Sequence, residues 1–219
     1  MAWAEMISNR SGGRFARYFA LVLAVGVLSA SLPASVSASV SASPYGAEFN
    51  GPGYYPDSLD HWYCFDGSVP AGDYVYRQWA MANMDAQTAG YDVAASGCGS
   101  ATDIRFFEAN PIPWHGSGTV GWAPCAYFLI YLACDQSWVY TNFTAIWVFG
   151  GGLGGDPNLI TYWFHFTTRH EIGHTLGLGH SDGTHALHTP LADVNLASAW
   201  LYYQYHDVCH YNLYFSQGC

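Results

Sequence analysis

The 219-residue sequence contains no lysine, and its six arginines stand against 16 acidic residues, for a net charge of −10. Such an acidic surface repels nucleic acids and anionic membranes, so we expect neither as a partner. No CxxC pair is present, which argues against a site built from thiolates. The chain is instead 51% hydrophobic and 17% aromatic, enough for one domain with a substantial core.

Residues 1–42 have the pattern of a secretory signal peptide. Three arginines (Arg10, Arg14 and Arg17) precede the apolar run YFALVLAVGVLSASLPA, and the small-residue tract SVSASVSASP follows it. An uncleaved anchor helix is the alternative, but the run is shorter than the roughly 20 residues of a membrane span. Cleavage would leave three arginines and fifteen of the acidic residues. We therefore expect a secreted protein that does not stay in the membrane.

All six cysteines follow this segment, and an even number in an exported chain predicts three disulfides. Fifteen connectivities are possible for six cysteines. Closeness in sequence favours Cys125 with Cys134 and Cys209 with Cys219, which leaves Cys64 for Cys98.

After an irregular lead-in over 43–60, the pattern predicts a mixed α and β domain over 61–219. A helix is expected from Asp73, with a stripe of small and apolar side chains at Val75, Trp79, Ala82 and Ala86. Short strands are expected in DIRFFEAN and GTVGWAPC, and a pair of apolar strands in AYFLIYLAC and VYTNFTAIWVF.

The segment from GGGLGGDPN onward predicts a loop followed by a second helix. Asp156 is a capping residue and Pro157 suits the first helical position. The next residues, LITYWFHF, are compatible with a strand by residue type. We favour a helix because it would run directly into the histidines that follow.

Three histidines in TTRHEIGHTLGLGHSD have the spacing of metal ligands. His170 and His174 are four residues apart, so on a helix they lie on one face, and Gly177 allows the chain to turn so that His180 can return as a third ligand. Three imidazoles leave the fourth position of a tetrahedral Zn²⁺ ion open for catalysis. Glu171 is then expected to act as the general base, and not as a ligand. The alternative is a helix with a histidine-rich polar face.

The segment HEIGHTLGLGH resembles the extended zinc signature of the metzincin metallopeptidases, and Ser181 after the third histidine resembles the matrixin branch. The resemblance implies a metzincin-like α+β domain, with a mixed sheet, an N-terminal helix and an active-site helix. It also implies that His170, His174 and His180 bind Zn²⁺ and that Glu171 is catalytic. Members of this family cleave peptide bonds in proteins.

The chain departs from the family pattern at two places. Matrixins commonly use a propeptide cysteine for latency, and the stretch between Ala42 and the first helix is too short for such a domain. The family also places a methionine in a turn beneath the zinc, whereas HALHTP has His188 there. His188 could be a packed floor, a fourth ligand or a sign that the turn lies elsewhere. The other six histidines are expected to be packed or solvated.

The sequence thus predicts a secreted, monomeric zinc metalloendopeptidase that acts on proteins or peptides. The alternative is a secreted zinc-binding protein that has kept the metal site and lost catalysis.

Overall fold

The computed structural model describes residues 54–116, 118–129, 133–152, 157–180, 202–203 and 205–218, which all belong to one compact unit, Ala42–Cys219. Several predictions lie outside these residues: the signal segment 1–42, the capping role of Asp156, and the features at Ser181 and His188.

A mixed sheet of seven strands forms one layer of the described domain. Its strands are β1 (Tyr55–Pro56), β2 (Asp60–Phe65), β3 (Tyr91–Ala94), β4 (Ile104–Glu108), β5 (Gly121–Trp122), β6 (Cys125–Phe128) and β7 (Ala133–Thr141). The order is β1-β7-β4-β2-β3, with all these pairs parallel, and β5 and β6 pair antiparallel with β7. The expected combination of a mixed sheet with helices is confirmed.

Four α-helices accompany the sheet within the described residues. They are α1 (Tyr74–Gln87), α2 (Phe143–Gly152), α3 (Pro157–Thr175) and α4 (Tyr205–Tyr214). Helix α1 connects the parallel strands β2 and β3, as such a crossover requires. Helix α3 begins at Pro157 and contains His170 and His174, so the helical interpretation of LITYWFHF is confirmed.

The main hydrophobic core lies between the sheet, α1 and α3. Its buried members include Phe106 and Val139 from the sheet, Met81 from α1 and Ile172 from α3. Side chains from the sheet and from both helices therefore meet in one core, and the second half of α3 is fixed against the sheet.

The predicted face of α1 is wrong, although the helix itself is present. Val75, Ala82 and Ala86 are exposed, and the buried residues are Arg77, Ala80, Met81 and Met84. Arg77 is buried because it forms an ion pair with Glu108 at 2.6 Å, which a count of apolar residues does not anticipate. Asp73 occupies the N-cap position, but its side chain forms no capping hydrogen bond.

The predicted strand VYTNFTAIWVF is also wrong in its second half, where α2 begins. The Asn142 side-chain oxygen accepts a hydrogen bond from the Ala145 amide at 2.9 Å, and Glu108 accepts one from the Phe143 amide at 2.6 Å. These bonds satisfy amides that the first turn of a helix leaves without partners. The first half of the segment belongs to β7, which pairs with β6.

The lead-in expected to be irregular contains β1 and the first residue of β2. Strand β1 pairs with β7 through Tyr55 and Ala133. Two residues are too few for a periodic pattern, so this strand depends on its pairing within the sheet.

Two of the expected disulfides are present, Cys64–Cys98 and Cys125–Cys134. Cys209 is disulfide-bonded, and its expected partner Cys219 lies outside the described residues. Disulfides of this kind are typical of proteins that fold outside the cytosol. None of the helices in the described part of the chain is long and apolar enough to cross a membrane.

Candidate metal centre

His170, His174 and His180 meet at one point next to the end of α3. Their Nε2 atoms are 3.1 Å apart for His170 and His174, 3.1 Å for His170 and His180, and 3.0 Å for His174 and His180. The three residues form the only group of metal-binding side chains found within the described residues. The histidines predicted from their spacing therefore form a group that can hold a metal ion.

The triangle of Nε2 atoms fits a shared cation better than a set of hydrogen bonds. In a neutral imidazole a ring nitrogen either carries the proton and donates or has the lone pair and accepts, so no choice of tautomers makes all three Nε2–Nε2 contacts hydrogen bonds. Ligands at roughly 2.0 to 2.1 Å around a tetrahedral ion lie about 3.3 Å apart. The observed separations of 3.0 and 3.1 Å are close to this value.

The chain reaches His180 through a Schellman motif at the end of α3. Gly177 has a φ of 83°, its amide donates to the carbonyl of His174 at 3.0 Å, and the Leu178 amide donates to the carbonyl of Gly173 at 3.2 Å. A left-handed glycine at this position is the usual way to end a helix. The predicted role of Gly177 is confirmed.

The same motif orients His174, the second candidate ligand. His174 Nδ1 lies 2.8 Å from the carbonyl oxygen of Leu178, to which it donates when the proton is on Nδ1. In the neutral ring this leaves Nε2 with its lone pair directed at the other two histidines. No sequence signal marks Leu178 for this role because the contact is made by its backbone.

Burial favours the neutral form of His174 and His180. It lowers the pKa of His174 to about 4, against a raising effect of the hydrogen bond to the Leu178 carbonyl and with a smaller lowering from His180, and it also lowers the pKa of His180. A metal ion binds the neutral form of imidazole, so the lowered pKa values of His174 and His180 favour metal binding.

Glu171 lies on α3 between the two helical ligands and is 5% exposed. Its Oε2 atom is buried and has no hydrogen-bond partner. Burial raises the pKa of this carboxyl group to about 8. An unpaired buried carboxylate is costly. A bound cation would reduce that cost, and Glu171 lies on the helix that carries two of the three possible metal ligands.

An apolar cavity of about 430 Å³ opens beside the histidines. It includes His174 and His180 from the metal centre, and aromatic side chains make up much of its wall. The lining residues are Tyr54, Trp122, Ala123, Pro124, Cys125, Phe128, His174, Gly179 and His180. The Tyr54 hydroxyl donates to the Ala123 carbonyl at 2.7 Å, which fixes this ring at the cavity. The sequence contained no signal for this lining, because only the fold brings Tyr54, the segment 122–128 and the segment 174–180 together.

The other described histidines lie outside the trio. His61 is buried with its Nε2 atom 2.7 Å from the Tyr211 hydroxyl, and burial lowers its pKa to about 4. His165 packs against Trp79 with a ring separation of 4.4 Å, and His115 is exposed. These three are packed or solvated groups, as expected.

Comparison with known proteins finds no family model that matches the chain and no curated protein that matches it.

Proposed function

We propose that the protein is a secreted zinc-dependent endopeptidase related to the metzincins. The single observation that supports this most strongly is the convergence of three Nε2 atoms to 3.0 and 3.1 Å, with Glu171 on the same helix turn. The two disulfides described here support an exported protein. The mixed α and β architecture is compatible with the fold that the resemblance implies.

The donor set supports zinc as the metal. Three imidazole nitrogens suit Zn²⁺, and a site with three protein ligands leaves a coordination position for water or substrate. The ligands would be His170, His174 and His180. When bound there, the ion would lower the pKa of a water molecule and polarise a substrate carbonyl.

Glu171 would act as the proton acceptor and donor in peptide hydrolysis. Its carboxylate would take a proton from the attacking water and give it to the nitrogen of the departing amine. A divalent charge beside this group lowers its pKa, which favours the basic form at neutral pH. Its burial excludes bulk water from competing for the proton.

The apolar cavity would hold the part of the polypeptide next to the cleaved bond. Trp122 and Phe128 offer aromatic surface for an apolar side chain, and His174 and His180, which would hold the metal, line the same cavity. A protein or peptide substrate is therefore the class that this surface fits best.

The decisive experiment measures zinc content and casein digestion on the same preparation. We expect about one zinc per chain, digestion that 1,10-phenanthroline abolishes, and recovery when zinc is restored. Glu171→Ala should keep the zinc and lose digestion by roughly 10²-fold or more, because it removes the base and no ligand. His115→Ala, at an exposed histidine outside the trio that packs against Trp122 of the cavity wall, is the control for metal content and should leave the zinc unchanged.

The outcomes separate the candidate functions. Zinc binding without digestion would indicate a binding protein that has lost catalysis. Full digestion by Glu171→Ala would refute the role of that residue, and digestion insensitive to the chelator would refute the metal mechanism.

A further inference from the structure

Gly121 at the start of β5 lies directly against the side chain of Glu171. A Cβ atom built on Gly121 would be 2.2 Å from Oε1, 2.7 Å from Cδ and 2.8 Å from Cγ of Glu171. Strand β5 is itself held by antiparallel pairing of Gly121 with Thr141 of β7. The backbone of a fixed strand therefore contacts the carboxyl group along most of its length.

This contact explains why a glycine occupies the position. Gly121 does not have the positive φ that favours glycine; in the described part of the chain the glycine with a positive φ is Gly177. Alanine can therefore adopt the backbone conformation of Gly121. The missing side chain is required by the neighbouring carboxyl group and not by the local backbone.

A methyl group on Gly121 could not be accommodated by a small movement of the carboxylate. Oε1 would have to move about 1.2 Å to reach an ordinary contact of 3.4 Å, and Cγ is already closer than 3.0 Å. The position of Cγ is set by χ1, and a helix allows few χ1 values. The whole side chain of Glu171 would have to change rotamer, which would move the carboxyl group away from its observed position against β5.

We propose that Gly121 is a positioning residue that holds Glu171 in its working rotamer. The inference rests on the proposed function, since it concerns the base of that reaction. Gly121 donates no group to the chemistry; its backbone forms the wall against which the carboxylate lies. Trp122, the next residue of β5, lines the cavity. The same strand would therefore both form part of the substrate-binding wall and orient the base.

The first test compares Gly121→Ala with Gly118→Ala on labelled casein. A Cβ on Gly118 would meet no atom within 4 Å, so this variant is the matched control in the same segment. We expect Gly121→Ala to lower kcat by roughly 10²-fold while KM changes by less than about threefold, since displacement of a catalytic group by about 1 Å can have that effect. Zinc content should stay at that of the wild type, because no ligand is touched.

The second test is a stability cycle on the chelator-treated protein, which does not depend on activity. Gly121→Ala should lower Tm by several degrees when Glu171 is present and should not lower it in the Glu171→Ala background, where all three close atoms are gone. If Gly121→Ala alone does not fold, recovery of folding in the double variant supports the proposal, and failure of both overturns it.

The results distinguish this inference from the proposed function. A wild-type protein that binds zinc and does not digest casein refutes the proposed function and the catalytic part of the inference with it. A wild type that digests casein, combined with a Gly121→Ala variant of unchanged kcat or an equal loss of Tm in both backgrounds, refutes the positioning role alone.

Discussion

The Tyr203 hydroxyl donates a hydrogen bond to the backbone carbonyl of Arg169 at 2.9 Å, and the Arg169 guanidinium lies 4.1 Å from the centroid of the Tyr203 ring. Arg169 immediately precedes His170 and is fully buried. Its guanidinium also contacts the Gln87 side chain at the end of α1. One buried residue thus connects α1 and Tyr203 to the helix that carries the candidate ligands His170 and His174.

Tyr203→Phe should lower the free energy of unfolding by about 1 kcal/mol, because the hydrogen bond from the hydroxyl to the Arg169 carbonyl is lost while the ring packing remains. Burial raises the pKa of Tyr203 to about 12, so the hydroxyl is protonated at neutral pH and able to donate. Urea unfolding measures the change. The exposed neighbour Tyr202 provides the control variant, Tyr202→Phe, which should be near wild type; an equal loss in both would contradict the hydrogen-bond argument.

The metal trio could be predicted from the sequence because its members are close along the chain. A helix fixes the geometry of His170 and His174, and Gly177 marks the turn that returns His180. Spacing alone therefore carries most of the information about this centre. The contact between Glu171 and Gly121 joins residues fifty positions apart, and only the sheet brings them together.

Two errors of the sequence interpretation have a common physical cause. The buried face of α1 includes Arg77, and the end of β7 passes into α2 through bonds to Asn142 and Glu108. In both places polar groups satisfy one another inside the fold. A search for periodic apolar residues misses such pairs, because it assigns every charged or amide side chain to the surface. Burial of these side chains can be predicted only when the polar partner is known.

Asp103→Asn should stabilise the protein at alkaline pH and leave it nearly unchanged in acid. Burial raises the pKa of Asp103 to about 7; a hydrogen bond from the Trp62 amide acts in the opposite direction, and the nearby carboxylates of Asp57, Asp60 and Asp135 raise the pKa further. The folded state therefore holds the proton more tightly than the unfolded chain, whose reference value is 3.8. The stabilising contribution of the protonated group is complete below that value and is lost as pH rises through about 7.

Urea unfolding of the wild type and of Asp103→Asn at a series of pH values checks this sign. The variant should gain on the order of 1 kcal/mol at about pH 8, after solvent screening is allowed for, and little at about pH 4. A variant that is less stable than the wild type at the higher pH would contradict the prediction.

The two described disulfides should differ in what they contribute to stability. Cys64–Cys98 spans 34 residues and Cys125–Cys134 spans 9. Loop-closure entropy predicts contributions of about 4 and about 2.5 kcal/mol, respectively. Replacement of each pair by alanines, followed by urea unfolding, should give the larger loss for the first pair. Equal losses, or the reverse order, would show that native packing around the cysteines outweighs the entropy of the unfolded chain.

Substitution of Gly177 should weaken metal binding although Gly177 is not itself a ligand. Its φ of 83° costs an ordinary L-residue roughly 1 to 2 kcal/mol, and the strain falls on the turn that places both the Leu178 carbonyl and His180. If the metal-free protein relaxes this turn, zinc binding must restore it. We therefore expect Gly177→Ala to bind zinc roughly tenfold more weakly, with a free-energy difference of about 1.4 kcal/mol.

A graded series tests whether the backbone of Gly177 is the cause. Asparagine tolerates the left-handed region better than other side chains, so Gly177→Asn should lie between wild type and Gly177→Ala, and the β-branched Gly177→Val should bind zinc most weakly. Competition with a chromogenic zinc chelator gives the affinities. Gly116→Ala is the control, since a Cβ there would meet no atom within 4 Å. Equal affinities for the asparagine and valine variants would point to side-chain size, because backbone strain predicts that they differ.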